Sequence, residues 1–140
     1  MAALVEPGTL VLIVDDDVEL HDSLVDTLTI EGYEALAVRS GDAALRQLAN
    51  GVEPSLVILD LWLTDMGGAD FVRWFRASRH AAIPVLLHSG AESRATVELD
   101  VDAVVRKPAE GTALMRAVDR LVARGSTRRL RASRGDPERD

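Results

Sequence analysis

Five short apolar runs recur along the chain, and each is followed by a segment with the spacing of an amphipathic helix. The runs begin near Leu10, Tyr33, Leu56, Ile83 and Val101. Strands that alternate with helices form a parallel sheet, because antiparallel neighbours are usually joined by short hairpins. Right-handed crossovers leave few arrangements. We therefore predict a doubly wound α/β domain with a five-stranded parallel sheet, in the order 2-1-3-4-5, and helices on both faces.

The run Val57-Ile58-Leu59 ends directly on a carboxylate, Asp60. Consecutive apolar residues of this kind indicate a strand that is buried on both faces. A second run, Leu10 to Val14, is followed by Asp15 and Asp16. The first and third strands are neighbours in the predicted order, and open α/β sheets bind ligands at the carboxyl ends of their strands. We therefore expect the three acids to face one another at this edge.

The predicted acid cluster indicates a metal site and phosphoryl chemistry. Closely packed carboxylates repel each other unless a cation lies between them, and an all-oxygen site of this kind suits Mg²⁺. We expect the fourth and fifth strands to bring Ser89 and Lys107 to the same edge, where a hydroxyl and an ammonium can bind phosphoryl oxygens. Asp60 would then be the nucleophile and form an acyl phosphate. Lys107 is the only lysine among 16 basic residues.

Composition limits the classes of function. The 140 residues carry a net charge of −7, which argues against binding of nucleic acid through its phosphates. The absence of cysteine excludes disulfides and thiolate metal sites. No apolar run approaches the roughly 20 residues of a membrane span, and no signal-peptide pattern begins the chain, so we expect a cytoplasmic protein. We predict a lead-in at 1–8, a domain at 9–124, and an Arg-rich tail or linker stub at 125–140.

The motifs together resemble the receiver domain of two-component response regulators, over about residues 9 to 124. The matching stretches are Val-Leu-Ile-Val-Asp-Asp-Asp at 11–17, Val-Ile-Leu-Asp-Leu at 57–61, Asp-Met-Gly-Gly at 65–68, Pro-Val-Leu-Leu-His-Ser-Gly at 84–90 and Lys-Pro at 107–108. The resemblance implies a flavodoxin-like fold. It also implies that Asp60 receives a phosphoryl group from a phosphohistidine, carried by a sensor histidine kinase or a histidine phosphotransfer protein.

The resemblance also implies roles for individual residues. It implies that Mg²⁺ is bound directly by Asp16, Asp60 and the backbone carbonyl of Trp62, and by Asp15 through water. It assigns Ser89 and Lys107 to the phosphoryl oxygens. Signalling in the family uses the face made by the fourth helix, fifth strand and fifth helix, so a downstream protein partner is expected there.

Several positions depart from the family pattern. Val104 stands three places before the lysine, where the family usually has an aromatic residue whose ring rotation reports phosphorylation. Thr64 replaces the common proline of the loop after the phosphorylated aspartate, and Gly67-Gly68 replaces the usual Asp-Gly. Asp100-Val101 replaces the small Gly-Ala pair before the fifth strand. None of these positions takes part in the chemistry itself.

Two other functions are open. A phosphatase with an aspartyl phosphate intermediate usually has a second acid two residues after the nucleophile, and Trp62 occupies that position. A pseudo-receiver that works by binding alone would not need the intact acids. We expect a signalling domain that catalyses only its own phosphorylation and dephosphorylation.

The segment after the last helix limits the output. We expect that helix to end near Arg124 and to leave no room for a DNA-binding domain. The chain is then either a switch without a fused effector or a piece of a longer regulator. Homodimerisation through the last strand and helix is left open.

Some residues are assigned structural roles. Asp17 is predicted to cap the first helix. His88 is predicted to lie at the end of a strand, on the face away from the site. The Trp62 side chain is predicted to cover part of the pocket mouth and to slow attack of water on the acyl phosphate. The aromatic residues of the third helix are predicted to pack in the core or against another helix, rather than to stack with bases: Phe71, Trp74 and Phe75.

Overall fold

The computed structural model describes residues 6–90, 99–107 and 111–133. Its strands are β1 (Leu10–Val14), β2 (Glu34–Val38), β3 (Leu56–Leu59), β4 (Val85–Ser89) and β5 (Ala103–Arg106). Its helices are α1 (Val18–Ile30), α2 (Gly41–Ala49), α3 (Gly68–Arg76) and α4 (Gly111–Ser133). A further helix, predicted over residues 91–99, falls almost wholly outside the described residues.

The strands form one parallel sheet in the order β2-β1-β3-β4-β5, which confirms the predicted topology. β1 and β3 are neighbours, and their register pairs Val14 with Leu59, the last residue of each strand. β4 pairs with β5 on the other side of β3. The carboxyl ends of β1, β3, β4 and β5 therefore lie in a row along one edge of the sheet.

Both faces of the sheet are covered by helices. The layer on the α1 and α4 face contains Val11, Ile13, Ile58, Leu86, Leu24, Leu28, Val118 and Leu121. The layer on the α2 and α3 face contains Leu12, Val14, Val57, Leu59, Leu87, Leu48, Phe71 and Phe75. Burial on both faces explains why the three central strands, β1, β3 and β4, begin as continuous apolar runs rather than alternating ones. The edge strands β2 and β5 are only partly buried.

A side-chain cap and a glycine determine where the first helix begins and ends. The Asp17 side chain accepts hydrogen bonds from the backbone N–H groups of Glu19 and Leu20, at 3.1 and 3.2 Å, which confirms the predicted cap. Gly32 follows the helix with a φ of 99°, a left-handed conformation that glycine adopts without strain. The chain can therefore reverse directly into β2.

The last helix is longer than predicted. It was expected to end near Arg124, but α4 continues to Ser133. Gly125 does not end it, because a glycine inside a helix costs only about 1 kcal/mol and the following arginine and leucine residues favour helix. Residues 125–133 are therefore helical, while the predicted domain boundary stays a prediction. Neither this helix nor any other described one has the length and apolar character to cross a membrane.

The aromatic residues of α3 do not all pack in the core as predicted. Phe71 and Phe75 are fully buried, and their rings stack with centroids 5.7 Å apart. Trp74 is 42% exposed. Residues four apart lie over one another on a helix, whereas a position only one residue from Phe75 is rotated by about 100°. Trp74 therefore does not lie in the core, and packing against another helix stays a prediction for it.

Asp102, next to the start of β5, joins three parts of the fold. Its Oδ2 accepts a hydrogen bond from the Arg76 guanidinium at 2.7 Å and another from the Val85 backbone N–H at 2.8 Å. Its Oδ1 accepts one from Arg124 at 3.4 Å. The Arg76 and Asp102 side chains are only 16% and 19% exposed. This Asp102 network links α3, the start of β4 and α4.

Candidate functional site

The two acidic segments lie side by side because the strands that carry them are paired. The Asp60 backbone N–H donates to the Val14 carbonyl at 3.0 Å, and the Asp15 N–H donates to the Val38 carbonyl at 3.1 Å. The ladder hydrogen bonds thus continue one residue beyond each strand. They hold the first residue after β1 next to the first residue after β3.

The acids form the cluster that the sequence predicts. Oxygen atoms from the carboxylates of Asp15, Asp16 and Asp60 all lie within 4.8 Å of one another. Asp15 and Asp60 are buried, at 3% and 7% exposure. The Lys107 Nζ lies 2.7 Å from Asp15 Oδ2 and 3.9 Å from Asp60 Oδ1. Lys107 offsets part of the negative charge, but the cluster still has two more carboxylates than ammonium groups.

Opposing effects act on the ionisation of Asp60. Burial is the largest and raises its pKa, and the negative charge of Asp15 raises it further. The positive charge of Lys107 lowers the pKa, as do hydrogen bonds from the Ser89 side chain and the Trp62 backbone. The pKa of Asp60 lies above its usual value, so ionisation of Asp60 destabilises the metal-free fold. A cation bound beside it would remove this cost.

Ser89 and Lys107 reach the site from neighbouring strands. The Ser89 residue ends β4 and is buried at 2% exposure. The Lys107 backbone N–H donates to the Ser89 carbonyl at 3.1 Å, one residue beyond the β4–β5 pairing of Ser89 with Arg106. The backbone segments that carry the hydroxyl and the ammonium are therefore fixed relative to each other.

His21 is part of the site's support, and the sequence reasoning missed it. It lies on α1 at 8% exposure, and its Nε2 makes a short hydrogen bond to the Asp15 backbone carbonyl. A carbonyl oxygen can only accept, so Nε2 carries the hydrogen. His21 occupies the apolar stripe of α1 with Leu24 and Leu28. A polar residue at such a position is the signal that could have identified it.

His88 is buried at 3% exposure, directly before Ser89. Neither of its ring nitrogens has a hydrogen-bond partner within the described part of the chain. Burial lowers its pKa to about 4, and the nearby charge of Lys107 lowers it too. The imidazole is therefore neutral at neutral pH.

The loop after Asp60 is closed at its base. Trp62 and Gly67 form an antiparallel bridge, and the adjoining bond runs from the Gly68 N–H to the Leu61 carbonyl at 2.8 Å. That bond does not use the Trp62 carbonyl. The Trp62 backbone instead contributes a hydrogen bond to Asp60, and its side chain is 64% exposed. Trp62 thus contacts the site through its backbone, while most of the indole faces solvent.

Gly68 begins α3 against the backbone of this loop. A β-carbon there would lie 2.7 Å from the Leu61 α-carbon and 2.8 Å from the Leu61 carbonyl oxygen. Backbone atoms cannot move aside cheaply, so Gly68→Ala is expected to lower the free energy of unfolding by about 2 kcal/mol in urea titrations. At Gly67 the nearest atom would be Asp70 Oδ2 at 3.8 Å, so Gly67→Ala is the matched control, with a change within about 0.5 kcal/mol. Equal losses in both variants would contradict this prediction.

Comparison with known proteins identifies the family. The sequence model described as the response regulator receiver domain matches residues 11–119. The chain belongs to this family. A receiver domain crystal structure described as CheY-like, from Methanospirillum hungatei, is 23% identical and superposes with a TM-score of 0.80, covering 86% of this chain and 98% of that one. That similarity confirms the flavodoxin-like fold.

Curated relatives are longer than this receiver domain. The chain is 34% identical over 121 residues to the sensory transduction protein RegX3 of Mycobacterium bovis, covering 84% of this chain and 52% of that protein. It is 38% identical over 130 residues to the response regulator protein FleR of Pseudomonas aeruginosa, covering 90% and 26%. The chain thus spans about half of the length of RegX3 and about a quarter of the length of FleR.

The acid cluster fits the metal that receiver domains bind. Receiver domains bind Mg²⁺ at a group of aspartates, and Asp15, Asp16 and Asp60 form such a group here. Mg²⁺ prefers carboxylate, carbonyl and water oxygens. The carboxylates converge within 4.8 Å, and the single ammonium of Lys107 beside them leaves an excess of negative charge. The residues present therefore fit Mg²⁺.

Val104, which stands where the family usually has an aromatic residue, is half-exposed on β5. Val104 lies opposite Leu87 in the β4–β5 register and is 49% exposed. An aromatic ring, the usual reporter at this position, is replaced by a small side chain that already faces solvent. The expected signalling face includes residues 91–98, which lie outside the described ranges, so it is only partly visible.

Proposed function

We propose that this receiver domain accepts a phosphoryl group on Asp60 in a Mg²⁺-dependent reaction. The donor is a phosphohistidine of a sensor histidine kinase or a histidine phosphotransfer protein. The observation that carries the proposal is the convergence of three carboxylates and one ammonium on the same sheet edge, from β1, β3 and β5. Receiver domains interact with histidine kinases, and this chain has the family's acids in place.

In the proposed reaction a carboxylate oxygen of Asp60 attacks the phosphorus of the phosphohistidine. A phosphorus–oxygen bond forms and gives an aspartyl phosphate, while the phosphorus–nitrogen bond to the imidazole breaks. The leaving nitrogen keeps the electron pair of that bond and is protonated from solvent. Of the two buried carboxylates in the cluster, Asp15 is already paired with Lys107 at 2.7 Å, which leaves Asp60 as the better nucleophile.

The remaining residues hold the phosphoryl group and the metal. Bound Mg²⁺ would supply positive charge to the phosphoryl oxygens. We assign direct ligation to Asp16 and Asp60, ligation through water to Asp15, and a further ligand to the Trp62 backbone carbonyl.

Lys107 and Ser89 act on the phosphoryl oxygens. The Lys107 Nζ lies 3.9 Å from Asp60 Oδ1, close to where the phosphoryl group would be attached. The Ser89 side chain already hydrogen-bonds to Asp60 and can donate to a phosphoryl oxygen after transfer. Because Val104 offers no ring, we propose that the backbone bond between Lys107 and Ser89 carries the change towards the partner-binding face. The domain then signals to a downstream protein, and its cytoplasmic location stays a prediction.

Acetyl phosphate tests the proposal without a cognate kinase. The protein is incubated with acetyl phosphate and Mg²⁺, and its intact mass is measured, with a matched sample in excess EDTA. We expect one added phosphoryl group with Mg²⁺ and none with EDTA, because the metal-free cluster repels the incoming phosphate.

Other outcomes point to the other functions. No phosphorylation under either condition would favour a pseudo-receiver that works by binding alone. Sustained release of phosphate from several unrelated phosphate esters would favour a phosphatase. Either result would overturn the proposed function.

A further inference from the structure

The tip of the loop after Asp60 is bound to the start of α2. Asp65 Oδ1 accepts a hydrogen bond from the Gly41 backbone N–H at 3.0 Å, and its Oδ2 accepts one from the Asp42 N–H at 2.8 Å. Burial raises the pKa of Asp65, but hydrogen bonds from backbone N–H groups, led by that of Asp42, outweigh it and hold the pKa below its usual value. Asp65 is therefore an ionised, two-oxygen acceptor for this helix.

The helix has a cap of its own in addition to Asp65. The Ser40 side chain accepts a hydrogen bond from the Ala43 N–H at 3.0 Å, as an ordinary N-cap residue does. The Ser40 carbonyl accepts the Ala44 N–H at 3.1 Å. Ser40 thus supplies the usual cap of α2 from the local sequence. The Asp65 carboxylate, which binds the first two N–H groups of the helix, lies 24 residues after Gly41 and 23 after Asp42. It links the helix to the loop.

Packing reinforces this link. A β-carbon at Gly41 would lie 2.6 Å from both the Cγ and the Sδ of Met66, so the Met66 side chain crosses directly over the Gly41 α-carbon. The base of the loop is closed by the bridge between Trp62 and Gly67. The loop is therefore held at its base by its own backbone and at its tip by α2.

We propose that Asp65 is a positioning residue for the metal and phosphoryl site. By fixing the loop tip on α2, it holds the segment that carries the Trp62 backbone beside Asp60. A loop that is already ordered loses less conformational entropy when a ligand binds, so the ion binds more tightly. The inference rests on the proposed function, because it assumes that the acid cluster binds Mg²⁺.

The test compares two variants that each remove a hydrogen-bond acceptor from the start of α2. Asp65→Ala removes the link to the loop, whereas Ser40→Ala removes only the local cap. Both are made with Trp74→Phe, so that Trp62 is the only tryptophan and its fluorescence reports Mg²⁺ binding. Urea titrations of the metal-free proteins measure the loss of stability in each.

We expect Asp65→Ala to raise the Mg²⁺ dissociation constant about tenfold, the lower end of the range for residues that support metal ligands. Ser40→Ala is expected to lower the urea midpoint but to leave the dissociation constant unchanged. Asp65→Asn keeps one oxygen acceptor, so its Mg²⁺ dissociation constant is expected to lie between those of the wild type and Asp65→Ala. This variant provides a measurement if Asp65→Ala does not fold. Faster hydrogen exchange at the Gly41 and Asp42 amides is expected in Asp65→Ala without metal.

Two results would overturn the inference alone. One is wild-type Mg²⁺ affinity in Asp65→Ala, and the other is an equal loss of affinity in Ser40→Ala, which would attribute the effect to the stability of α2. A Trp74→Phe protein that neither binds Mg²⁺ nor takes up phosphate would instead overturn the proposed function, and the inference with it.

Discussion

Replacing Asp60 with asparagine is expected to abolish uptake of the phosphoryl group from acetyl phosphate. A carboxamide is too weak a nucleophile to form the acyl phosphate. The neighbouring Asp15 is a poor substitute acceptor, because it is 3% exposed and its Oδ2 is paired with Lys107 at 2.7 Å. Intact mass after incubation with Mg²⁺ and acetyl phosphate measures the effect directly.

Asp26→Asn is the matched control for this substitution. Asp26 is an exposed aspartate of α1, so the control changes the net charge equally and is expected to be phosphorylated like the wild type. A phosphoryl group on Asp60→Asn would show that the acceptor is another residue.

Asp60→Asn is also expected to change how the free energy of unfolding depends on pH. Burial raises the folded-state pKa of Asp60 above its unfolded-state value, so ionised Asp60 destabilises the metal-free fold. The free energy of unfolding of the wild type is therefore expected to gain a favourable contribution as the pH falls from neutral through that folded-state pKa. Asparagine cannot ionise, so the variant is expected to be more stable at neutral pH and to lack this contribution. Parallel pH profiles of the two proteins in urea titrations would contradict the argument.

Replacing Asp102 with alanine is expected to lower the free energy of unfolding by about 3 kcal/mol, because it removes the close counter-charge of the partly buried Arg76 guanidinium. The Arg76 side chain is only 16% exposed and would keep its hydrogen bonds to backbone carbonyls. It would also keep an ion pair at 3.8 Å with the Asp100 carboxylate, but that carboxylate is exposed and screened by solvent. The Val85 N–H would lose its acceptor as well. Urea denaturation followed by circular dichroism measures the change.

Asp100→Ala is the control for the Asp102 network. The substitution removes an ion pair at 3.8 Å between Arg76 and the Asp100 carboxylate, which is 80% exposed. It keeps the hydrogen bond from Arg76 to the Asp100 backbone carbonyl. A change within about 0.5 kcal/mol is therefore expected. If Asp102→Ala were as mild as Asp100→Ala, the network would contribute little to stability.

The sequence was sufficient to predict the sheet and the row of acids. Both follow from local patterns, because a strand buried on both faces is a continuous apolar run, and parallel strands present their carboxyl ends at one edge. The run Val57–Leu59 and the acid that follows it contain both signals. The end of α4 was predicted wrongly because a single glycine, Gly125, is a weak stop signal when helix-favouring residues follow it.

The contacts that support the site could not be read in the same way. The bond from His21 to the Asp15 carbonyl, the link from Asp65 to α2 and the Asp102 network join residues on different elements. The spacing of apolar residues along a helix or strand does not specify which polar side chain reaches which distant group. Only His21 had a local sign, as a polar residue within an apolar helical stripe.

The chain order of the strands has a consequence for folding. Asp15, Asp60 and Lys107 come from three strands, and the ammonium and its carboxylate partner are separated by 92 positions in sequence. No contiguous fragment of the early chain contains the complete acceptor site, and a nascent or partly unfolded molecule cannot assemble it from local structure. The proposed phosphoryl site is therefore complete only in molecules in which β5 has paired with β4, and we expect molecules without this pairing to lack the Lys107 ammonium at the acid cluster.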